Sequence, residues 1–420
     1  MKPLVVVVIG GGAAGFFGAI TAAQANPKAQ VILLEASRHP LNKVLISGGG
    51  RCNVTHACFE PSGLVQNYPR GGKAMLGAFT RFQAKDTVSW FANRGVPLKT
   101  EADGRMFPIT DSSETIANCL MKTAKASGVE LRTEQTVVSV NVTGDKLGTA
   151  CAKSDRFKIV LKSGENLECD RLLIATGSSP VGYRLAKDLG HTVEPPVPSL
   201  FTFNIRDQKF RELAGVSVES VRLSLTVPDK PSIEQLGPIL IAHWGLSGPA
   251  VLKLSAWGAR VLHSNNYKAT LHVNWLPHFK TEEVRQKILA VKNEWGKRAM
   301  SLHRGVDLPH RLWRYIISRI GIAPEMRWAE LPSKTLNLLV QELTKGQFLI
   351  DGKGVFKEEF VTCGGVNLKE VNFKTMESKL VPGLYFAGEI LDIDGITGGF
   401  NFQSAWTTGY LAGQAISSVM

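Results

Sequence analysis

The sequence predicts an α/β fold in which a parallel-sheet domain, built from both ends of the chain, is interrupted by an inserted β-rich domain with a helical part. Three observations predict it. An apolar run near the N-terminus leads through clustered glycines into an Ala-rich stretch, the pattern of strand, turn and helix. A second apolar strand, again followed by glycines and a helical stretch, lies near the C-terminus. At 420 residues the chain exceeds what one hydrophobic core usually supports, which makes room for an insert.

The first element is Val5 to Ile9, apolar and β-branched throughout, as a strand buried on both faces would be. Gly10-Gly11-Gly12-Ala13-Ala14-Gly15 follows with Gly-x-Gly-x-x-Gly spacing, and a helical stretch runs on to about Gln24. In such a Rossmann-like turn Gly10 permits the bend, Gly12 lets a pyrophosphate approach the backbone, and Gly15 lets helix and strand pack closely. The helix start, with Ala13 and Ala14 in its first turn, offers free N–H groups to phosphates. Asn26-Pro27 ends the helix, Val31 to Leu34 forms the next buried strand, and Glu35 stands at its end, twenty residues after Gly15. An acid at that offset accepts ribose hydroxyls. It would also repel a 2′-phosphate, so FAD or NAD suits this position better than NADP.

Farther along, a hairpin-like region from about Glu130 to Cys169, which includes Val138, leads into Leu172-Leu173-Ile174 and then Ala175-Thr176-Gly177. Glu194-Pro195-Pro196-Val197-Pro198 cannot continue a helix or a central strand, so a hinge is expected there. From Ser199 to about Leu349 the pattern shifts to alternating strands such as Val216 to Val227, then to amphipathic helices around Thr281–Glu294 and His310–Ile320. The chain returns near Phe360. Gly383 to Glu389 reads as a strand ending in an acid, followed by Gly395, Gly398, Gly399 and a helix from about Gln403. The nucleotide-binding domain is thus expected at 1–194 and 359–420, and the insert at 195–358 with its helical segment at about 280–325.

Composition narrows the class. Hydrophobic residues make up 44% and charged residues 20%, and no apolar run approaches the length a membrane-spanning helix needs, so a soluble protein is expected. The N-terminal apolar run is too short for a signal peptide. Six cysteines, at 52, 58, 119, 151, 169 and 363, form no CxxC pair and no metal-ligand spacing, which fits a reducing, cytoplasmic setting and no metal site. The net charge of +13 favours acidic partners such as phosphorylated cofactors, anionic substrates or nucleic acid. Because the basic residues are scattered, with no block of five like charges, the charge reads as a solvated surface and nucleic acid is not expected as a partner. Oligomeric state is left open.

The glycine motif with Glu35, the Ala175-Thr176-Gly177 turn and the Tyr385 to Glu389 strand together resemble the signatures of two-dinucleotide-domain flavoproteins. Within that superfamily, Lys43 to Thr55 (KVLISGGGRCNVT), His243 to Pro249 (HWGLSGP) and Asp392 to Asn401 (DIDGITGGFN) resemble the BaiN-like family of NAD(P)/FAD-dependent oxidoreductases, which includes aminoacetone oxidase-like flavoproteins. The resemblance implies FAD as cofactor, held by the residues already named and by Arg51, Asn53, Val138, Gly388, Glu389, Gly399, Phe400 and Asn401. It implies a flavin beside the C-terminal helix start, whose positive end would stabilise negative charge on the reduced ring. It also implies a small-molecule substrate, NAD(P)H as electron partner, and His243 as a candidate acid or base with Trp244 as a pocket wall. A flavin oxidase of small amines is the alternative, and a nucleic-acid-associated flavoprotein a third reading. No second Gly-x-Gly-x-x-Gly marks a nicotinamide site. Cys363, Cys52 and Cys58 read as ordinary thiols, since redox flavoprotein pairs use CxxxxC and the spacing here is one residue longer.

Overall fold

The computed structural model describes residues 2–143, 157–228, 230–354 and 361–418. The chain separates into two compact units, one formed by Met1–Pro196 with Val361–Met420 and the other by Val197–Phe360. Cys151, part of the 130–169 hairpin region, the 358/359 boundary and the return at Phe360 lie outside the described residues.

The first unit is built on a seven-stranded sheet in the order Val371–Asn372, Glu377–Ser378, Leu384–Phe386, Arg171–Ile174, Val5–Ile9, Gln30–Leu34, Glu130–Arg132. Val5–Ile9 is buried along its whole length and pairs in parallel with Gln30–Leu34 on one side and Arg171–Ile174 on the other. That burial on both faces is why the strand is valine and isoleucine without polar alternation. Leu384–Phe386 joins Arg171–Ile174 in parallel, so a strand from the last tenth of the sequence sits beside one from its first half.

Two long helices cover the sheet together. Ala13–Ala25 and Phe400–Ser417 are apolar nearly all round, the mark of helices buried among other elements. They approach backbone to backbone. A Cβ on Gly409 would lie 2.7 Å from Ala14 O, and one on Gly413 would lie 2.6 Å from Gly18 O. Ser417 Oγ donates to Ala22 O at 2.8 Å, continuing the contact in the same direction, so the helices run parallel.

The second unit is a closed six-stranded barrel in the order Phe203–Ile205, Gly245–Ser247, Ile233–Ala242, Ser217–Thr226, Lys268–Asn274, Gly346–Lys353. Ser217–Thr226 alternates buried and exposed side chains where the sequence alternates. Helices Pro249–Ser264, Thr281–Glu294, His310–Arg319 and Ser333–Lys345 share a core with the barrel that includes Trp275, Trp313 and Trp328.

The proline-rich stretch where a hinge is expected is an extended strand, Val193–Ser199, in a two-stranded sheet with Val361–Val366, and the two units divide within it, at Pro196 and Val197. Each strand of such a ribbon has one edge that needs no ladder bond, where missing proline N–H groups do no harm. Gly364 makes the approach possible, because a Cβ there would lie 2.6 Å from Pro195 O. The stretch from Lys43 is partly helical. It begins as a helix, Asn42–Gly50, which breaks at Ser47 and continues through Gly48, Gly49 and Gly50, all at positive φ. Among the described residues no helix is long and apolar enough to cross a membrane.

The glycine contact between the long helices sets a stability test. Gly409→Val and Gly413→Val are each expected to lower the unfolding free energy by about 1–3 kcal/mol through overpacking, read by chemical denaturation. Gly77→Ala, within helix Gly72–Phe79 where an added Cβ meets nothing within 4 Å, is expected to raise it by about 0.5–1 kcal/mol.

Candidate dinucleotide site

At the N-terminal turn the three motif glycines meet different surroundings. Gly10 has φ 112°, and a Cβ there would lie 2.4 Å from Ala175 O; a Cβ on Gly15 would lie 1.9 Å from Gly10 O. A Cβ on Gly12 would meet nothing within 4 Å. Gly12 caps the helix without a side-chain hydrogen bond, and the first turn holds no acid. The opening amides therefore lack intrahelical partners at the positive end of the dipole, an arrangement that suits an anion. Glu35 is held at the rim: one carboxylate oxygen accepts from Gly11 N–H at 2.7 Å, the other from Ser37 N–H at 2.8 Å and its hydroxyl at 2.7 Å.

The C-terminal turn is fastened residue by residue. Buried Asp394 takes a two-pronged ion pair from Arg70, with Nε at 2.5 Å. Asn401 bonds Gly395 twice, accepting from its N–H at 2.8 Å and donating to its carbonyl at 2.9 Å. Ile396 N–H donates to Asn67 O at 2.9 Å. His56 Nδ1 lies 3.0 Å from Gly398 O, and its ring stacks on Phe400 at 4.7 Å. With its amide oriented to satisfy both ends, Asn53 accepts from Gly399 N–H and donates to Thr55 O, each at 3.0 Å. Tyr68 donates its hydroxyl to Phe400 O at 2.6 Å. One turn on, buried Gln403 accepts from Thr55 at 2.6 Å and Thr87 at 2.9 Å. The helix behind this turn again has a glycine cap, Gly399 at φ 93°, with no side-chain cap and no acid in its first turn.

The two uncapped helix starts are staggered. Gly409 lies nine residues past Phe400 and packs on Ala14, one residue past Ala13; Gly413 and Gly18 show the same offset. The C-terminal helix thus begins eight residues, or about 12 Å, ahead of the N-terminal one along their shared direction. Gly388 ties the levels together, since a Cβ there would lie 2.8 Å from the Ala14 side chain, and its N–H donates to Thr408 at 2.9 Å. Beside it, Glu389 pairs with Lys43 at 2.5 Å and accepts from Thr362 N–H at 2.9 Å, while Lys43 also reaches Ser178 at 3.1 Å.

The other sequence candidates are placed as follows. Ala175 backs Gly10, Gly177 takes φ 60°, and Thr176 lies against Gly182. Arg51 pairs with Glu101 at 2.6 Å and stacks over Phe107 at 4.0 Å. Asn401 spends its amide on the backbone of Gly395, Asn53 divides its amide between Gly399 N–H and Thr55 O, and the Phe400 carbonyl accepts from Tyr68. Val138 sits at a bulge in strand Val137–Val142 and is exposed, its carbonyl accepting from Arg184 at 2.9 Å. His243 belongs to the barrel unit, exposed in the turn before Gly245–Ser247; its neighbour Trp244 donates to Thr202 at 3.0 Å. Cys52, Cys58 and Cys363 take part in no disulfide among the described residues. Burial pushes the Cys52 thiol up to about 12 against the lowering effect of Ser47. No group of three or more possible metal ligands occurs among the described residues.

Sequence reasoning passed over Tyr68, Arg70, Asp394, Gln403 and the role of His56. Asp394 carried the available signal, an acid inside a glycine-rich apolar segment, where burial demands a cation.

Comparison with known proteins settles the lineage. The model of the HI0933-like protein Rossmann domain matches residues 4–415. The chain belongs to the HI0933-like family. It is 31% identical to the ribosomal RNA dihydrouridine synthase of Escherichia coli K12 over 97% of this chain and 96% of that one. It is 28% identical to the 3-dehydro-bile acid delta(4,6)-reductase of Clostridium scindens over 97% and 98%. Its fold resembles that of 3-ketosteroid-delta4-(5alpha)-dehydrogenase from Rhodococcus jostii RHA1, with a TM-score of 0.51 at 15% identity over 99% of this chain and 97% of that one. The family is one of FAD-dependent oxidoreductases, and this chain is an enzyme of that class.

The residues present fit FAD. Open space over Gly12 and an uncapped helix start suit a pyrophosphate, and a second uncapped start displaced along the same direction suits a ring carried on a ribityl chain. Gly12→Ala, with room for its methyl group in the protein, is expected to leave the unfolding midpoint unchanged and weaken FAD affinity at least tenfold, measured by titrating apoprotein. Cys52 is expected to resist iodoacetamide at pH 8 until the protein is unfolded, read by peptide mass spectrometry.

Proposed function

We propose that this enzyme saturates a carbon–carbon double bond conjugated to a carbonyl, with NAD(P)H as the electron source, and that its substrate is a uracil ring within RNA. The observation that carries the redox part is the second uncapped helix start, Gly399–Phe400, held rigid by Asn53, His56, Tyr68 and Asn401. Bound FAD supplies hydride transfer between nicotinamide and substrate. The residues Gly10, Gly12, Ala13, Ala14, Gly15 and Glu35 would hold its pyrophosphate and ribose, and Gly388, Glu389 and the Gly399–Asn401 turn would hold its flavin half.

The relatives' names support this direction of chemistry. A dihydrouridine is a uridine carrying two more hydrogens across its ring double bond, and the bile-acid enzyme is likewise named as a reductase of ring double bonds. The net reaction adds one hydride and one proton to the double bond and converts NAD(P)H to NAD(P)+. A net charge of +13 supports a polyanionic substrate over a neutral steroid. We assign the proton to His243 as donor, exposed beside Trp244 on the barrel unit.

Anaerobic NADH or NADPH is expected to bleach the flavin of the purified holoprotein, and an unmodified ribosomal RNA transcript to restore its colour while gaining dihydrouridine in nuclease digests. Bleaching by neither nucleotide, or peroxide release with small amines in its place, overturns the reductase reading. Turnover of a conjugated steroid ketone with no change in RNA overturns the substrate. His243→Gln is expected to lower turnover at least tenfold while leaving flavin bleaching by NAD(P)H unchanged, read by stopped-flow absorbance.

A further inference from the structure

The excess of positive charge is uneven. Residues 197–360 hold 23 Lys and Arg against 15 Asp and Glu, a net of +8 out of the chain's +13. Within them, residues 297–314 hold five basic side chains, Lys297, Arg298, Arg304, Arg311 and Arg314, against the single acid Asp307. The fold draws this segment together. The indole of Trp313 donates to Met300 O at 2.6 Å and Arg314 Nε reaches Ser301 O at 3.5 Å, which sets the 298–304 loop against helix His310–Arg319. On that helix His310, Arg311 and Arg314 share the face opposite buried Leu312, Trp313 and Ile316.

These cations bond differently from six other arginines of the protein. Arg51, Arg70, Arg105, Arg132, Arg285 and Arg319 each face a carboxylate. None of the five in 297–314 forms an ion pair with a carboxylate among the described residues. Arg304 instead donates to Leu308 O, and Arg311 to Glu212 O and Ala214 O. Backbone carbonyls fix a guanidinium in place and leave its charge uncompensated. Between these cations lie flat and apolar groups: His303 beside Arg298 at 3.5 Å and beside Trp295 at 5.8 Å, and Leu302, which is 58% exposed.

We infer that this face of the barrel unit, Lys297 to Arg314, binds the phosphate backbone of an RNA. The inference rests on the RNA reading of the substrate given above. Immobilised guanidinium groups match phosphate geometry, and an imidazole and an indole beside them offer stacking surfaces to unpaired bases. An anionic lipid surface would want flexible lysines and a continuous apolar face, whereas four of these five cations are arginines and three of those are pinned to carbonyls.

The test uses holoprotein carrying Arg298→Ala, Arg311→Ala and Arg314→Ala together, with the three Arg→Lys substitutions as a fold-preserving partner. An unmodified ribosomal RNA transcript is titrated by fluorescence anisotropy across salt concentrations. The alanine variant is expected to lose at least tenfold in affinity at physiological salt and to lower the log–log salt slope by about two to three, with flavin content and NAD(P)H bleaching unchanged. The lysine variant is expected to keep the slope. Equal RNA affinity and slope in the alanine variant and the wild type overturn the inference, as does tighter binding to phosphatidylserine vesicles than to RNA. If the wild type binds RNA through these residues but reduces no uracil, the surface stands and the substrate reading falls. If the alanine variant reduces RNA uracil at the wild-type rate at physiological salt, the surface falls and the substrate reading stands.

Discussion

The cofactor unit depends on one contact, the backbone-to-backbone packing of Ala13–Ala25 against Phe400–Ser417. Glycine and alanine line it because any larger side chain would push the helices apart, and the close approach locks their register as well as their distance. Register is what matters. With Gly409 seated on Ala14 and Gly413 on Gly18, the start of one helix projects a fixed length beyond the start of the other. Two positive helix ends are thereby presented at two depths along one shared direction.

The two ends are built differently. The N-terminal one relies on glycine geometry alone, with Gly10 and Gly15 crowded and Gly12 left open. The C-terminal one follows a run of peptides that glycine would leave loose: Gly398, Gly399 and Phe400 are bonded by His56, Asn53 and Tyr68, and Gly395 by Asn401 of the turn itself. Glycine provides the close approach and the clamps remove the freedom that comes with it. The Arg70–Asp394 pair anchors this arrangement below the surface, where breaking it would strand a buried charge.

The fold class was legible because its evidence is local. An all-valine strand, a glycine triplet and an acid at a fixed offset each read without knowledge of the rest of the chain. Barrel closure was not legible, since it is set by pairings such as Phe203–Ile205 with Gly346–Lys353, which have no local signature. The same holds for the clamps. Nothing near His56 in sequence marks its role, because its partners, Gly398 and Phe400, are more than 340 positions away. Asn53 and Asn401 stood out in their motifs, and the structure places their amides on the turn's backbone, a duty that spacing cannot distinguish from touching a ligand. Charge shows the opposite case: arginines that are scattered in sequence share one face once the 298–304 loop folds onto its helix.

The helix contact also orders events during synthesis. Ala13–Ala25 leaves the ribosome early as an apolar rod with no polar face to show to water, and the surface that shelters it is made more than 370 residues later. The barrel unit, contiguous between those segments, can complete its own core first. The cofactor unit therefore matures last, and a nascent chain stalled before Phe400 would expose a helix that needs chaperone shelter and would hold only half of a cofactor cleft.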